Sequence, residues 1–168
     1  MNEAVFLEFY ARTAGPLFGY LVRLTGSRPL AEDLVQDAYL RLLSSRHLPL
    51  NQDHLRNYLF RIATNLARDH FRRADVEQRV GSLAGPSRVE AARSPYAGDV
   101  WSVLSRLKPR DRELLLLAYV EGLSHREIAE VTGLMRASVR PLLYRSRRRF
   151  AAMLRAAGLV PQGSETTV

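Results

Sequence analysis

Apolar residues recur at intervals of three and four positions along the first part of the chain, and this spacing predicts three amphipathic helices. The first covers residues 3–25, where Pro16 should kink or split it. The second covers about residues 29–44 and the third about residues 55–73, and a polar loop at 45–53 separates them.

The helical spacing disappears between residues 75 and 98, where three glycines and two prolines predict a flexible linker. It returns from Trp101, and a further helix is expected over residues 110–121, with Gly122 as its C-terminal cap. The polar and apolar alternation typical of strands is absent from the sequence.

The most informative local pattern is SHREIAEVTGLMRASVRPLLYRSRRRF, residues 124–150. Ser124 and Glu127 have the spacing of a capping box and predict a helix start. Gly133 supplies the positive φ that a turn between two helices needs, and Val139 returns an apolar side chain to the core. The pattern predicts a helix-turn-helix whose second helix faces a DNA major groove, although a solvated basic helix closing a bundle is the alternative. Its outer face carries Arg136, Arg140, Tyr144 and Arg147.

Together these elements predict an all-α fold of two small helical domains joined by a flexible linker, the second containing the helix-turn-helix. The expected boundaries are residues 1–74 and 99–158 for the domains, 75–98 for the linker and 159–168 for a disordered tail. Each domain is small, so its core is marginal and is expected to depend on a partner.

Charge and composition narrow the function. The net charge is +8, residues 45–74 hold six arginines and two acidic residues, and no carboxylate occurs from Val131 to Ser164. This balance favours a polyanionic partner. The absence of cysteine excludes disulfides, thiolate catalysis and cysteine-ligated zinc. With no secretion signal and no run of roughly 20 apolar residues, a soluble, cytoplasmic protein without membrane insertion is expected.

Two of the predicted helices have distinctive polar faces. The second contains AEDLVQDAY, residues 31–39, an acidic edge beside apolar residues that suits docking to a basic partner helix, and a solvated acidic face is the alternative. The third carries amide, aromatic and guanidinium side chains at helical spacing, which suit unpaired bases and phosphates of a single strand. A solvated arginine-rich helix is the alternative there.

The segments AEDLVQDAYLRLL, LRNYLFRIATNLARDHFRR and LKPRDRELLLLAYVEGLSHREIAEVTG, the last followed by a basic helix, resemble the extracytoplasmic-function sigma factors of bacterial RNA polymerase. The resemblance covers about residues 5–75 and 99–155, in the family's order. It implies an alternative sigma factor that binds core RNA polymerase, recognises the minus-ten and minus-thirty-five promoter elements and directs transcription initiation. It implies sigma region 2 in residues 1–74, sigma region 4 in residues 99–158, and no cofactor or metal.

The resemblance also implies roles for individual residues. Docking on the β′ clamp helices would use Asp33, Gln36, Asp37 and Leu40, and the β flap would be a second polymerase contact. Capture of the minus-ten strand would use Asn51, Asn57, Tyr58, Arg61, Asn65, Arg68 and Arg72. Recognition of the minus-thirty-five duplex would use Arg136, Arg140, Tyr144, Arg145, Arg147 and Arg148. An anti-sigma factor is expected as a further partner.

The chain departs from the family pattern at Met135 and Pro141, where small polar residues are common. Proline inside a helix costs roughly 3 kcal/mol. Either the helix is kinked in its second turn, or Ser138 caps a later start and Pro141 falls in the tolerated first turn. Both arrangements move Arg140 relative to the groove.

Two other classes of protein are compatible with parts of the sequence. A DNA-binding regulator could place a helical sensor or dimerisation domain before a similar helix-turn-helix, but it would have no need of the polar stripe on the third helix. Asp69-His70 could indicate a metal-dependent phosphohydrolase, but His70 is expected on the apolar face, and the sequence shows no carboxylate set at ligand spacing. The protein is not expected to be an enzyme.

Overall fold

The computed structural model describes residues 2–49, 51–81 and 99–159, and every regular element in these ranges is helical, as the sequence predicts. The first unit contains three helices: α1 (Glu3–Thr25), α2 (Arg28–Leu43) and α3 (Gln52–Val80). Helix α1 continues through Pro16, so of the two outcomes expected there, a kink or a split, the split is excluded. It ends at Gly26, whose φ of 73° is left-handed, and Ser27 then caps α2 by accepting from the Leu30 N–H.

Helix α3 is longer than the sequence pattern indicated. It runs to Val80, so residues 75–80 are helical although they belong to the predicted linker. Their side chains are exposed, Val76 and Val80 included, so this part of α3 does not contribute to the apolar core. The rest of that linker, residues 82–98, and the predicted tail beyond Leu159 lie outside the described residues.

The second unit contains α4 (Asp99–Ser105), α5 (Pro109–Leu115), α6 (His125–Thr132) and α7 (Arg136–Ala156). A π-turn at Leu116–Val120 follows α5 directly, so the helix expected over residues 110–121 is present and its second half is π-helical. A hydrogen bond from Ser146 Oγ to Asp111 Oδ1, 2.6 Å, and an ion pair from Arg149 to the same carboxylate join α7 to α5.

The cores of the two units form one continuous apolar cluster. In the first unit, Tyr20 and Phe60 are fully buried between α1 and α3, and the Tyr20 hydroxyl lies 3.0 Å from that of Thr64. In the second unit, Ile128 and Val139 are fully buried. Helix α3 also packs along α6, and α1 touches α4, α5 and the π-turn, so the two units share an extensive interface.

Candidate nucleic-acid and polymerase interfaces

Helix α2 presents the four residues predicted to dock on polymerase. Its buried face consists of Ala31, Leu34, Ala38, Tyr39 and Leu42, which leaves the opposite face in solvent. Asp33, Gln36, Asp37 and Leu40 are all exposed on that opposite face, Leu40 by 62%. We call these four residues the docking face. Leu43, three residues after Leu40 and 50% exposed, extends its apolar part and was missed in the sequence.

The residues predicted to hold the minus-ten strand fall into two groups. Arg61, Asn65 and Arg72 are exposed along α3, and Arg72 pairs only one turn away with Asp69, at 2.8 Å. The other four residues are engaged with the protein itself. Asn51 is the N-cap of α3, where its side chain accepts from the Asp53 N–H at 2.8 Å, and the Tyr58 hydroxyl lies 3.2 Å from that of Ser45.

Asn57 and Arg68 lie in the interface between the units. Arg68 forms a bidentate ion pair with Glu113 of α5: its Nε donates to Oε2 at 2.9 Å and its Nη2 donates to Oε1 at 2.5 Å. Its Nη1 also donates to the carbonyl oxygen of Thr132, at the end of α6, at 3.0 Å. Asn57 is 5% exposed and donates to Glu130 Oε2 at 3.3 Å. Both predicted DNA contacts are therefore occupied by the second unit.

Two further contacts join the units beside this pair. Arg56 of α3 donates to Glu121 Oε2 at 3.0 Å, and burial raises the pKa of Glu121 even though Arg56 opposes that shift. Arg112 of α5 donates through Nη1 to the carbonyl oxygen of Leu24 at 2.6 Å, and so places a cation at the C-terminus of α1. We call the whole set of inter-unit contacts the closed arrangement.

Neither His70 nor its neighbours form a metal site. His70 is exposed, so its expected place on the apolar face is wrong, and half-buried Phe71 packs against the core instead. Within the described part of the chain, no group of three or more histidine, aspartate or glutamate side chains is arranged to hold a metal ion. No helix there is both long and apolar enough to cross a membrane.

The helix-turn-helix forms as predicted. The Ser124 N–H donates to Glu127 Oε2 at 2.8 Å and the Glu127 N–H donates to Ser124 Oγ at 3.3 Å, which completes the capping box at the start of α6. The hydrogen bonds that the Glu127 carboxylate accepts from the backbone N–H and the hydroxyl of Ser124 lower the pKa of Glu127. Gly133, with φ of 72°, makes the turn into α7. Val139, which was predicted to return to the core, is buried, as are Leu143 and Ser146 on the same side of α7.

The outer face of α7 carries most of the residues predicted to contact the minus-thirty-five duplex. Five of them are exposed: Arg136, Arg140, Tyr144, Arg145 and Arg148. Arg148 Nη1 donates to the Tyr144 hydroxyl at 3.2 Å, and this hydrogen bond orders these two side chains. Arg147 is also exposed but borders an apolar groove on another side of the helix. Helix α7 begins at Arg136 and continues through Pro141, so a start capped by Ser138 is wrong.

The apolar groove lies between α4, the π-turn and α7 and has a volume of about 340 Å³. Trp101, Leu104 and Phe150 contribute to its walls, and Tyr119 of the π-turn, 60% exposed, lies at its edge. The sequence pattern does not show this groove, because it arises where three separate segments meet.

Comparison with known proteins assigns both units to one family. The family model for sigma-70 region 2 matches residues 9–76, and the model for sigma-70 region 4 matches residues 97–150. The RNA polymerase sigma factor CarQ of Myxococcus xanthus is 30% identical over 90% of this chain and 90% of its own length. The ECF RNA polymerase sigma factor SigM of Bacillus subtilis is 28% identical over 87% of this chain and 93% of its own length.

Solved structures of similar fold include two protein complexes. CnrH in complex with the cytosolic domain of CnrY matches with a TM-score of 0.67 and 28% identity, over 92% of this chain and 90% of CnrH. The sigma factor RpoE in complex with the anti-sigma factor NepR, from Bartonella quintana, matches with a TM-score of 0.71 and 22% identity, over 89% of this chain and 96% of RpoE. The second likeness concerns the fold alone.

Proposed function

Since the chain belongs to the extracytoplasmic-function sigma factors of the sigma-70 family, and so directs transcription initiation by RNA polymerase from promoters with minus-ten and minus-thirty-five elements, we propose how its surfaces divide that work. The observation that carries the proposal is the exposure of two chemically different faces on separate units. An acidic and apolar face lies on α2, and a basic face lies on α7. The first suits a protein partner and the second suits duplex DNA.

The docking face on α2 binds the β′ clamp helices. Asp33 and Asp37 are one turn apart and exposed, so they offer two carboxylates to a basic partner, while Leu40 supplies apolar area beside them. The decisive assay is run-off transcription with purified core polymerase on a promoter library. Asp37→Arg should abolish selective initiation, and Glu8→Arg, the same charge change at an exposed position of α1, should not.

Unchanged initiation by Asp37→Arg would remove this assignment. The same assay separates a sigma factor from an ordinary DNA-binding regulator. A sigma factor binds promoter duplex weakly alone and opens it only with core polymerase. A regulator protects its operator from cleavage without polymerase.

The minus-ten strand binds along α3, on Asn57, Tyr58, Arg61, Asn65, Arg68 and Arg72, with Asn51 shaping the loop that precedes them. In the closed arrangement Arg68 and Asn57 are occupied by Glu113 and Glu130. We therefore assign this arrangement to the protein before it binds promoter. The second unit must leave α3 before the strand can bind, and its carboxylates hold the positions that phosphates and bases would take.

The second unit binds the minus-thirty-five duplex through the outer face of α7. Arg140, Tyr144 and Arg145 face base edges, and Arg136 and Arg148 contact phosphates; Arg147, at the border of the apolar groove, belongs at the margin of this surface. The groove itself is our proposed contact for the β flap, because the two units then attach to polymerase at separate points.

Region 2 in residues 1–74 and region 4 in residues 99–158 remain our proposed division of the chain. The protein acts in the cytoplasm, where RNA polymerase is, and contributes binding energy but no catalytic site of its own. One of the solved structures that it resembles in fold holds an anti-sigma factor on a sigma factor. We propose an anti-sigma partner for this chain as well. Such a partner would keep the protein inactive by stabilising the closed arrangement.

A further inference from the structure

The N-terminal half of α7 has an unusual surface for a helix that meets base edges. Met135, at the N-cap, is 76% exposed, and Ala137 and Pro141 are exposed one turn apart on the helix that follows. Residues four apart lie on the same face of a helix, so Ala137 and Pro141 adjoin each other. We call these three residues the apolar strip. Arg136 and Arg140 lie along its side.

The strip lies where sequence is recognised in this kind of fold. The N-terminal residues of the second helix of a helix-turn-helix contact base edges, while the first helix crosses the DNA backbone. Side chains of the strip have no conventional hydrogen-bond donor, and only the weakly accepting Met135 sulfur has a lone pair to offer. They therefore cannot recognise a base by a bidentate hydrogen bond. The distinctive apolar group in the major groove is the C5-methyl of thymine.

We propose that Met135, Ala137 and Pro141 select thymine in the minus-thirty-five element by contact with its methyl group. This inference rests on the proposed role of α7. It assigns a specificity to residues for which the resemblance to the family implies none, since Met135 and Pro141 are the two departures of this chain from the family pattern. The flanking Arg136 and Arg140 are left for guanine or phosphate, which guanidinium groups bind well.

Deoxyuridine provides a direct test, because it pairs as thymine does and lacks only the methyl group. Holoenzyme is first used to select a minus-thirty-five element from a randomised library. Each thymine on either strand of that element is then replaced by deoxyuridine, and open-complex formation is measured. We expect one or two positions to lose roughly fourfold per methyl, the value for one buried methylene-sized group.

Two substitutions at Pro141 separate the contact from helix stability. Pro141→Ser and Pro141→Ala both restore a backbone N–H to the helix, but only alanine keeps an apolar side chain at the position. Sensitivity to deoxyuridine at one position should disappear in Pro141→Ser and persist in Pro141→Ala. Loss in both variants, or in neither, contradicts a contact by Pro141.

The outcomes also distinguish this inference from the proposed function. If scrambling the minus-thirty-five element leaves initiation unchanged, the role of α7 is wrong. If scrambling abolishes initiation but no deoxyuridine replacement weakens it, or if the selected element contains no thymine, α7 binds the element and the apolar strip does not select thymine.

Discussion

Weakening the ion pair between Arg68 and Glu113 should shift the free protein away from the closed arrangement, so that the second unit leaves α3 more often. The substitution is Glu113→Gln, which keeps the size of the side chain and one acceptor oxygen but removes the charge. In the closed arrangement the Glu113 side chain is 3% exposed and that of Arg68 is 31% exposed. The carboxylate is thus buried in the closed arrangement, whereas the guanidinium stays partly hydrated.

The structure gives the size of the effect. Arg68 makes two charge-assisted hydrogen bonds to Glu113, and glutamine can accept only one of them without charge. A hydrogen bond to a charged group contributes about 1.5–3 kcal/mol, so we expect the closed arrangement to lose about 2 kcal/mol after partial hydration of Arg68. A change of about 2 kcal/mol shifts a two-state ratio by roughly 30-fold.

Single-molecule energy transfer measures this ratio. The chain contains no cysteine, so Arg41→Cys on α2 and Arg155→Cys on α7 would carry the only two dyes. Glu113→Gln should increase the population with distant dyes and tighten binding of the non-template minus-ten strand without polymerase. Arg110→Ala is the control, because Arg110 pairs with Glu113 at 3.1 Å within the same unit. If Glu113→Gln leaves both measurements at the wild-type value, the closed arrangement does not restrict access to α3.

Four further predictions concern individual groups. Ser124→Ala should destabilise the protein by about 1 kcal/mol in thermal or denaturant unfolding, since it removes the N-cap of α6; the lowered pKa of Glu127 implies that the stability from this cap is lost as pH falls through the pKa of the folded protein, and a flat acid limb in wild type would contradict it. Pro141→Ala should raise the unfolding free energy by up to about 3 kcal/mol, and a lower midpoint would show that the helix needs proline there. The pKa of Glu121 is raised, so the folded protein holds more protons than the unfolded chain just above the ordinary glutamate pKa. The unfolding free energy should therefore fall as pH rises through that window. Glu121→Gln should remove this slope and destabilise the closed arrangement less than Glu113→Gln does. Tyr119→Glu, at the edge of the apolar groove, should weaken association with core polymerase while duplex binding by α7 is retained, and equal affinities in a core-binding assay would exclude the groove as a polymerase contact.

Local features of the fold were predictable because their causes are local. The capping box of Ser124 and Glu127, the turn at Gly133 and the apolar faces of α2 and α7 depend on residues within one or two helical turns. The exposure of Asp33, Asp37 and Leu40 followed in the same way, because the opposite face of α2 is apolar.

Features that depend on distant residues were not predictable. Arg68 and Glu113 are 45 positions apart, and their segments show no mark of the contact, since each is an ordinary polar position on a helix. The same holds for Asn57, which the polar stripe assigned to DNA and which is buried against Glu130. Residues 75–80 are exposed, Val76 and Val80 included, so no buried face signals that α3 continues.

The second unit places the carboxylates of Glu113, Glu121 and Glu130 on α3, where they compete with the phosphates of a promoter strand. Dissolved ions weaken the Arg68–Glu113 and Arg56–Glu121 ion pairs, and they also weaken the binding of arginines on α3 to a phosphate chain. A rise in the salt concentration of the cell would therefore weaken both the closed arrangement and the binding of the promoter strand to α3. The two effects on promoter binding partly cancel. Commitment to a promoter would then vary less with the ionic composition of the cell than either attraction does alone.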